Sequence, residues 1–166
     1  MAAQAGKTSG AGSAVVFEPE YVEGLRKVFE ELIVFNQLLG LKLVSVTHDT
    51  VVGRIAMRPD LVGHFGYNRL HGGVISAVLD TTAGLAVLAA GGARHMHEPP
   101  AQRLQRFAKL GTIDLRVDYL RPGISERFEA RAQVIRLGSR VASTRMEFLD
   151  AQGKLVSTGS GVYIVS

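Results

Sequence analysis

Asp80 is the only charge between residues 74 and 90, inside a largely apolar run that opens with His71-Gly72-Gly73. A carboxylate in such surroundings loses hydration and must gain hydrogen-bond donors, a wet cavity or its proton. No Lys, Arg or His stands within four residues of it on either side. With the segment read as a helix, Gly73, Ser76, Ala77, Asp80 and Gly84 fall along one side, and the acid's companions there are all small. Small neighbours let a ligand or a second backbone come close to the carboxylate. The residues leave two readings open: an acid satisfied by backbone or hydroxyl donors elsewhere in the fold, and an acid that meets a ligand.

The segment around Asp80 carries apolar residues on every face at helical spacing instead of along one stripe. Such a helix is wrapped by protein or sits in lipid. A bilayer-spanning helix needs about 20 predominantly apolar residues. This run falls short, contains an acid and two Thr, and has glycines at both ends. The expectation is therefore a central helix enveloped by sheet, with no membrane span.

The chain has 166 residues, 46% hydrophobic and 20% charged, an ordinary balance for one globular domain. Cys is absent, which excludes disulfides and thiolate-bound metals. His95 and His97 have only Glu98 as a neighbouring ligand type, so no metal site is expected, and no other cofactor either. Residues 1–14 are rich in Ala, Gly and Ser without the apolar core of a signal peptide. They read as a flexible tail before a single domain over 15–166, in a cytoplasmic protein. The net charge of +4 suits an anionic small molecule. Nucleic acid is not expected, because the basic residues are scattered among acidic ones and no binding motif is present.

In chain order, residues 19–35 read as one amphipathic helix with Tyr21, Leu25, Val28, Phe29, Leu32 and Ile33 inward, stopped over 36–40. Residues 41–47 and 51–58 form a hairpin, and 59–70 an irregular loop able to wall a pocket. Gly91-Gly92 ends the central helix, and 101–110 is a short basic helix with Leu104 and Phe107 inward. Residues 112–119 alternate without a break, Ile113, Leu115, Val117 and Tyr119 on one face and Thr112, Asp114, Arg116 and Asp118 on the other. Strands over 128–137, 141–149 and 154–165 follow through tight turns, the last with small residues at 157–161 that invite close packing. The result is an α+β architecture, an antiparallel sheet of about six strands covering one apolar helix. One sheet cannot surround a helix that is apolar all round, so a second protomer is expected to supply missing cover.

That order, with His71-Gly72-Gly73 ahead of Asp80, resembles the hotdog-fold acyl-CoA thioesterases of the phenylacetate-degradation (PaaI-like) type. With Gly111-Thr112-Ile113-Asp114-Leu115-Arg116-Val117-Asp118-Tyr119-Leu120-Arg121-Pro122-Gly123 it is similar in particular to the YigI-type bacterial thioesterases acting on medium- and long-chain acyl-CoA. The resemblance spans about residues 29–165. It implies that Asp80 is the nucleophile or general base of thioester cleavage. It also implies that the Gly72-Gly73 turn polarises the thioester carbonyl, with the carbonyl oxygen at the Gly73 amide. Amides in the first turn of a helix lack intrahelical acceptors and sit at its positive end, so that role has a physical basis too. His71 is assigned to orienting the loop, and Asn68 is the nearest side-chain amide. Arg121, Arg136, Ser139 and Arg140 lie where such proteins often hold the CoA nucleotide. The resemblance further implies a homodimer, leaves open a dimer of dimers, and needs no cofactor.

Two rival functions on the same scaffold are an enoyl-CoA hydratase or dehydratase and a non-catalytic acyl-CoA-binding module. The first works with a paired acid and His, whereas His71 precedes Asp80 by nine residues. Sensors of the second kind carry a DNA-binding helix-turn-helix, for which residues 1–14 are too short and too polar.

Overall fold

A computed structural model describes residues 15–166, and the tail expected over 1–14 lies outside them. Helix α1 (Pro19–Lys27) runs through a π-helical turn (Val28–Leu32) to α2 (Val34–Leu39), followed by β1 (Lys42–Val46) and β2 (Thr50–Ala56). The short pair β3 (Val62–His64) and β4 (Arg69–Leu70) leads into the long α3 (Gly72–Ala93). Then come α4 (Pro100–Gln105), a 3-10 turn (Arg106–Lys109), β5 (Gly111–Tyr119), β6 (Arg127–Leu137), β7 (Val141–Asp150) and β8 (Leu155–Ile164). Six strands form one antiparallel sheet in the order β1-β2-β6-β7-β8-β5, curled around α3. This is the α+β arrangement that the alternation and the hairpins imply.

Alternation along the strands supplies the helix-facing surface. Phe128, Ala130 and Ala132 of β6 and Ala142, Met146 and Phe148 of β7 are buried, while the charged residues between them point away. Residues 82–90 of α3 are buried without interruption. Each large side chain so enclosed contributes about 1.5–3 kcal/mol by leaving water. Among the described residues α3 is the one helix long and apolar enough to cross a bilayer, and most of its apolar stretch is buried inside the fold.

The structure corrects several expectations. The helix expected over 19–35 breaks at Ile33, whose N–H reaches back to Val28 O at 3.2 Å. The fully buried Asn36 donates its side-chain amide to Phe29 O at 2.8 Å, occupying the carbonyl that a continuous helix would pair with Ile33. Leu32 is consequently turned outward. Gly91 and Gly92 do not end α3. A Cβ at Gly92 would lie 1.9 Å from the Tyr21 hydroxyl, so this glycine admits the Tyr21 ring. The short helix expected over 101–110 is α4 plus the 3-10 turn, and its Arg103 is fully buried. The Arg103 guanidinium lies 4.2 Å over the Tyr21 ring and pairs with Glu18 at 2.5 Å. Phe107, expected inward, is partly exposed. Within the loop at 59–70 the β3–β4 pair is ordered backbone structure.

Strand β5 departs most consequentially. Its register against β8 shifts between Thr112 and Asp114, a bulge at Ile113. Leu115 and Val117 stay on the helix side, but the bulge turns Thr112 to that side as well and leaves Ile113 exposed. Alternation without a break is therefore the wrong reading at the start of this strand.

Candidate active site

The N-terminus of α3 is fixed by backbone contacts from two segments, residues 61–63 and Gly123. Leu70 N–H donates to Gly123 O at 2.8 Å and His71 N–H to Leu61 O at 2.9 Å. A Cβ at Gly63 would come within 2.6 Å of His71 Cα, so glycine is required where the loop crosses the helix entrance. His71 is the N-cap, its Nδ1 accepting from Gly73 N–H at 2.9 Å. An accepting Nδ1 places the ring proton of neutral His71 on Nε2. The Gly73 amide, expected to meet a thioester carbonyl, is thus already engaged by the His71 ring. Val74 and Ile75 N–H both reach His71 O. Among the described residues the Gly72 N–H meets no acceptor, which leaves it as the free donor at the positive end of α3. Tyr119 OH donates to Gly72 O at 2.9 Å, tying the end of β5 to this turn.

Asp80 lies two turns further on. Its Oδ1 accepts from Thr112 Oγ1 at 2.9 Å and from Tyr163 OH at 3.0 Å. Both donors are neutral hydroxyls, and no cation pairs with the carboxylate among the described residues. Oδ2 has no partner among them and is uncommitted. Burial and the negative charge of Asp80 push the Tyr163 phenol far above its ordinary range, so Tyr163 remains a donor throughout the working pH range. The ring reaches Asp80 by lying across Gly161, where a Cβ would sit 2.9 Å from it. Around the acid opens a cavity of about 300 Å³ whose walls include Phe29, Ala77, Gly84, Phe107 and Leu110. A carboxylate with one anchored and one free oxygen at the side of an apolar cavity can take a proton from water or attack a carbonyl carbon.

The remaining expected residues do not gather at Asp80. Arg121 borders a different cavity, beside Gly72 and Tyr119, and donates to Leu155 O at 2.8 Å. Asn68 is exposed in a left-handed conformation (φ 47°) that closes the 3-10 turn before β4. Ser139 borders a third cavity near the C-terminal half of α3, and Arg136 and Arg140 are exposed. Gly72 and Asp80 are separated by eight residues of helix, roughly 12 Å along its axis. Thr112, Tyr163 and Tyr119 were not anticipated at the site. The alternating Gly159 and Gly161 ahead of Tyr163 were the available signal for a ring folded back over the strand.

A six-stranded antiparallel sheet rolled around one long helix, with an acid midway along it, defines a hotdog-fold protein with an enzyme-like site. Residues 67–157 match the family model described as the thioesterase superfamily. The chain is 34% identical over 153 residues to the medium/long-chain acyl-CoA thioesterase YigI of Escherichia coli K12, covering 92% of this chain and 99% of that one. It superposes on the crystal structure of a Shewanella oneidensis protein related to the thioesterase superfamily with a TM-score of 0.82. That protein is 39% identical, the match covering 90% of this chain and 100% of the other. The Escherichia coli PaaI protein, from the phenylacetic acid degradation operon, shares the fold at a TM-score of 0.70 and 19% identity, over 89% of this chain and 94% of its own. The chain belongs to the thioesterase superfamily, and it is a thioester hydrolase.

Proposed function

We propose that this protein hydrolyses medium- to long-chain fatty acyl-CoA to the free acid and CoA, with Asp80 as its general base or nucleophile. The observation that carries the reading is the Asp80 carboxylate, anchored by two neutral hydroxyls on one oxygen and free on the other, beside an apolar cavity. The likeness to a medium/long-chain acyl-CoA thioesterase supports the substrate class. As base, Asp80 takes a proton from water while the hydroxide adds to the carbonyl carbon. The C–S bond then breaks, and the CoA thiolate leaves with that proton. As nucleophile, Asp80 adds to the carbonyl carbon and the C–S bond breaks to release CoA thiolate. Water then cleaves the resulting mixed anhydride to return the Asp80 carboxylate and the free acid, the proton released going to the thiolate.

A separation of roughly 12 Å prevents one protomer's Gly72 and Asp80 from holding the same carbonyl, since both contacts require about 3 Å. Strand β5 suggests how the site is completed. One of its ends is tied to Asp80 through Thr112 and the other to Gly72 through Tyr119. It is an edge strand of nine residues with Ile113 and Tyr119 exposed, open to pairing. Antiparallel pairing of two β5 strands about a two-fold axis exchanges their ends and sets each Asp80 opposite the partner protomer's helix entrance. The free Gly72 N–H then becomes the oxyanion donor, a contact typically worth about 3–4 kcal/mol in the transition state. Arg121 borders the same cavity as Gly72, which supports it as a contact for CoA phosphates. Arg136, Ser139 and Arg140 are further candidates for nucleotide contact.

The test is thiol release from acyl-CoA substrates of increasing length, followed by complementation. Asp80→Asn removes the base. Gly72→Pro removes the N–H with the backbone conformation kept, because proline suits the first helical position and His71 already has the extended conformation (ψ 135°) that a following proline requires. The added Cβ would lie 3.3 Å from the Tyr119 ring, which must give slightly. Each homodimer is expected to be nearly inactive, whereas mixed dimers carry one intact site and regain turnover. Folded mixed dimers without activity refute the shared site, and a wild-type protein inert on every acyl-CoA refutes the whole reading.

A further inference from the structure

The cavity beside Asp80 has a neighbour. A second cavity of about 280 Å³ lies toward the C-terminal end of α3, walled by Val87, Leu88, Leu137 and Val165. On α3, the first cavity is bordered by Ala77, Asp80, Thr81, Gly84 and Leu85, the second by Val87, Leu88 and Gly91. Ala77, Thr81, Gly84, Leu88 and Gly91 follow one another at steps of four and three, so the two cavities lie along a single face of the helix. Leu110 is the residue that borders both. It comes from the segment between α3 and β5, and a Cβ at Gly84 would lie 3.6 Å from its Cδ2, which places it against the helix.

The polar groups around the second cavity indicate what it accepts. Arg106 Nη2 donates to both carboxylate oxygens of Glu98, at 2.7 and 2.8 Å. Arg94 donates to Leu137 O, and His95 Nδ1 lies 2.8 Å from Gly91 O as its donor. The Arg106 charge is balanced by Glu98, although guanidinium N–H groups of Arg94 and Arg106 remain unpaired, and the walls contributed by Val87, Leu88, Leu137 and Val165 are aliphatic. Those aliphatic walls suit an apolar chain.

Resting on the acyl-CoA reading above, we infer that the two cavities form one acyl channel along α3, divided by Leu110. The thioester lies at Asp80, a short acyl chain ends before Leu110, and a longer chain displaces that side chain to enter the second cavity. Leu110 is thus a specificity-determining residue, and the segment between α3 and β5 sets chain length without touching the reacting atoms.

Two variants test the divider from opposite sides, read as the ratio of kcat/KM for palmitoyl-CoA to that for butanoyl-CoA. Gly91→Leu fills the second cavity. A Cβ at Gly91 meets nothing within 4 Å, so the new side chain enters open space. The ratio is expected to fall by about ten-fold or more. Leu110→Ala removes the divider, and the ratio is expected to rise several-fold. The two substitutions are at separate points of the fold, so a folding defect in one leaves the other decisive. A ratio equal to that of the wild type in a folded variant overturns the inference. Failure of the acyl-CoA reading looks different, because the wild-type protein then releases no CoA at any chain length.

Discussion

The two halves of α3 are made from similar residues and meet different surroundings. From Thr82 to Ala90 the helix is enclosed by the sheet and by the segment that carries α4. Its contacts there are apolar, apart from the Tyr21 hydroxyl on Leu88 O and Thr82 on Val78 O. From Gly72 to Thr81 the same helix is only partly covered, and hydroxyls or an imidazole contact Gly72, Gly73 and Asp80. Sequence hydrophobicity suggested a helix in need of cover all round. In the structure one chain covers the second half alone, and the open side belongs to the half that carries the acid. The lesson is that the incomplete cover is local and coincides with the polar contacts. With Asp80 as the proposed reacting group, packing stability and chemistry fall to separate stretches of one helix.

The largest effects should separate these halves cleanly. Asp80→Asn keeps the shape of the side chain and is expected to lower kcat/KM by about 10²–10⁴ with little change in Tm. Ala89→Leu, in the enclosed half, overpacks a site with no exposure. It should cost about 1–3 kcal/mol, some 2–4 °C in Tm per kcal/mol, without altering turnover of the folded protein. Thermal melts and steady-state kinetics on both variants check the pair, and a loss of rate in Ala89→Leu at full folding would break the division.

A pair of tyrosines makes the same chemical change at each end. Tyr163→Phe removes one of the two donors on Asp80 Oδ1 and is expected to reduce kcat/KM about ten-fold. Tyr21→Phe removes a hydrogen bond to Leu88 O, at a cost of about 1 kcal/mol in stability and none in rate.

The two phenols also impose a pH dependence on stability. Burial pushes Tyr21 up to about 12 against the opposing charge of Arg103, and burial with the Asp80 charge pushes Tyr163 up further. Above pH 10 the unfolded chain releases phenolic protons that the folded chain retains. The unfolded state then binds fewer protons, so stability falls as pH rises. The contribution is complete below pH 10 and is lost, for Tyr21, up to about pH 12. Urea midpoints measured across this window should decline, and the decline should be shallower in either Phe variant.

Much of this arrangement was legible in the sequence, because α3, the six strands and Asp80 follow from periodicity and from one charge in an apolar run. What escaped depended on side-chain contacts and strand register that local periodicity does not encode. The bulge at Ile113 shifts the register by one residue, and no local pattern distinguishes Thr112 as helix-facing from Thr112 as solvent-facing. The break at Ile33 depends on the side chain of Asn36 competing for the Phe29 carbonyl. Gly92 looked like a helix stop and is instead a point of contact for Tyr21. Arg103 looked like a surface residue because its partners, Glu18 and Tyr21, lie more than eighty positions away in the chain. The engagement of the Gly73 amide, by contrast, was open to inference, since a His at the N-cap stands where its Nδ1 can reach the second amide of the helix.

The smallest effect concerns that cap and sharpens the distinction between holding the helix entrance and taking part in chemistry. His71→Ala removes the acceptor for Gly73 N–H and should cost about 1 kcal/mol, or roughly 2–4 °C in Tm. His71→Asn offers a side-chain oxygen suited to the same N-cap position. If His71 acts by fixing the turn, the Asn variant recovers both Tm and kcat/KM, because Gly72 N–H is returned to its place by the restored cap. If Tm recovers while kcat/KM stays low across the pH profile, the imidazole does more than orient the turn. The open half of α3 would then contain a second reacting group besides the proposed Asp80.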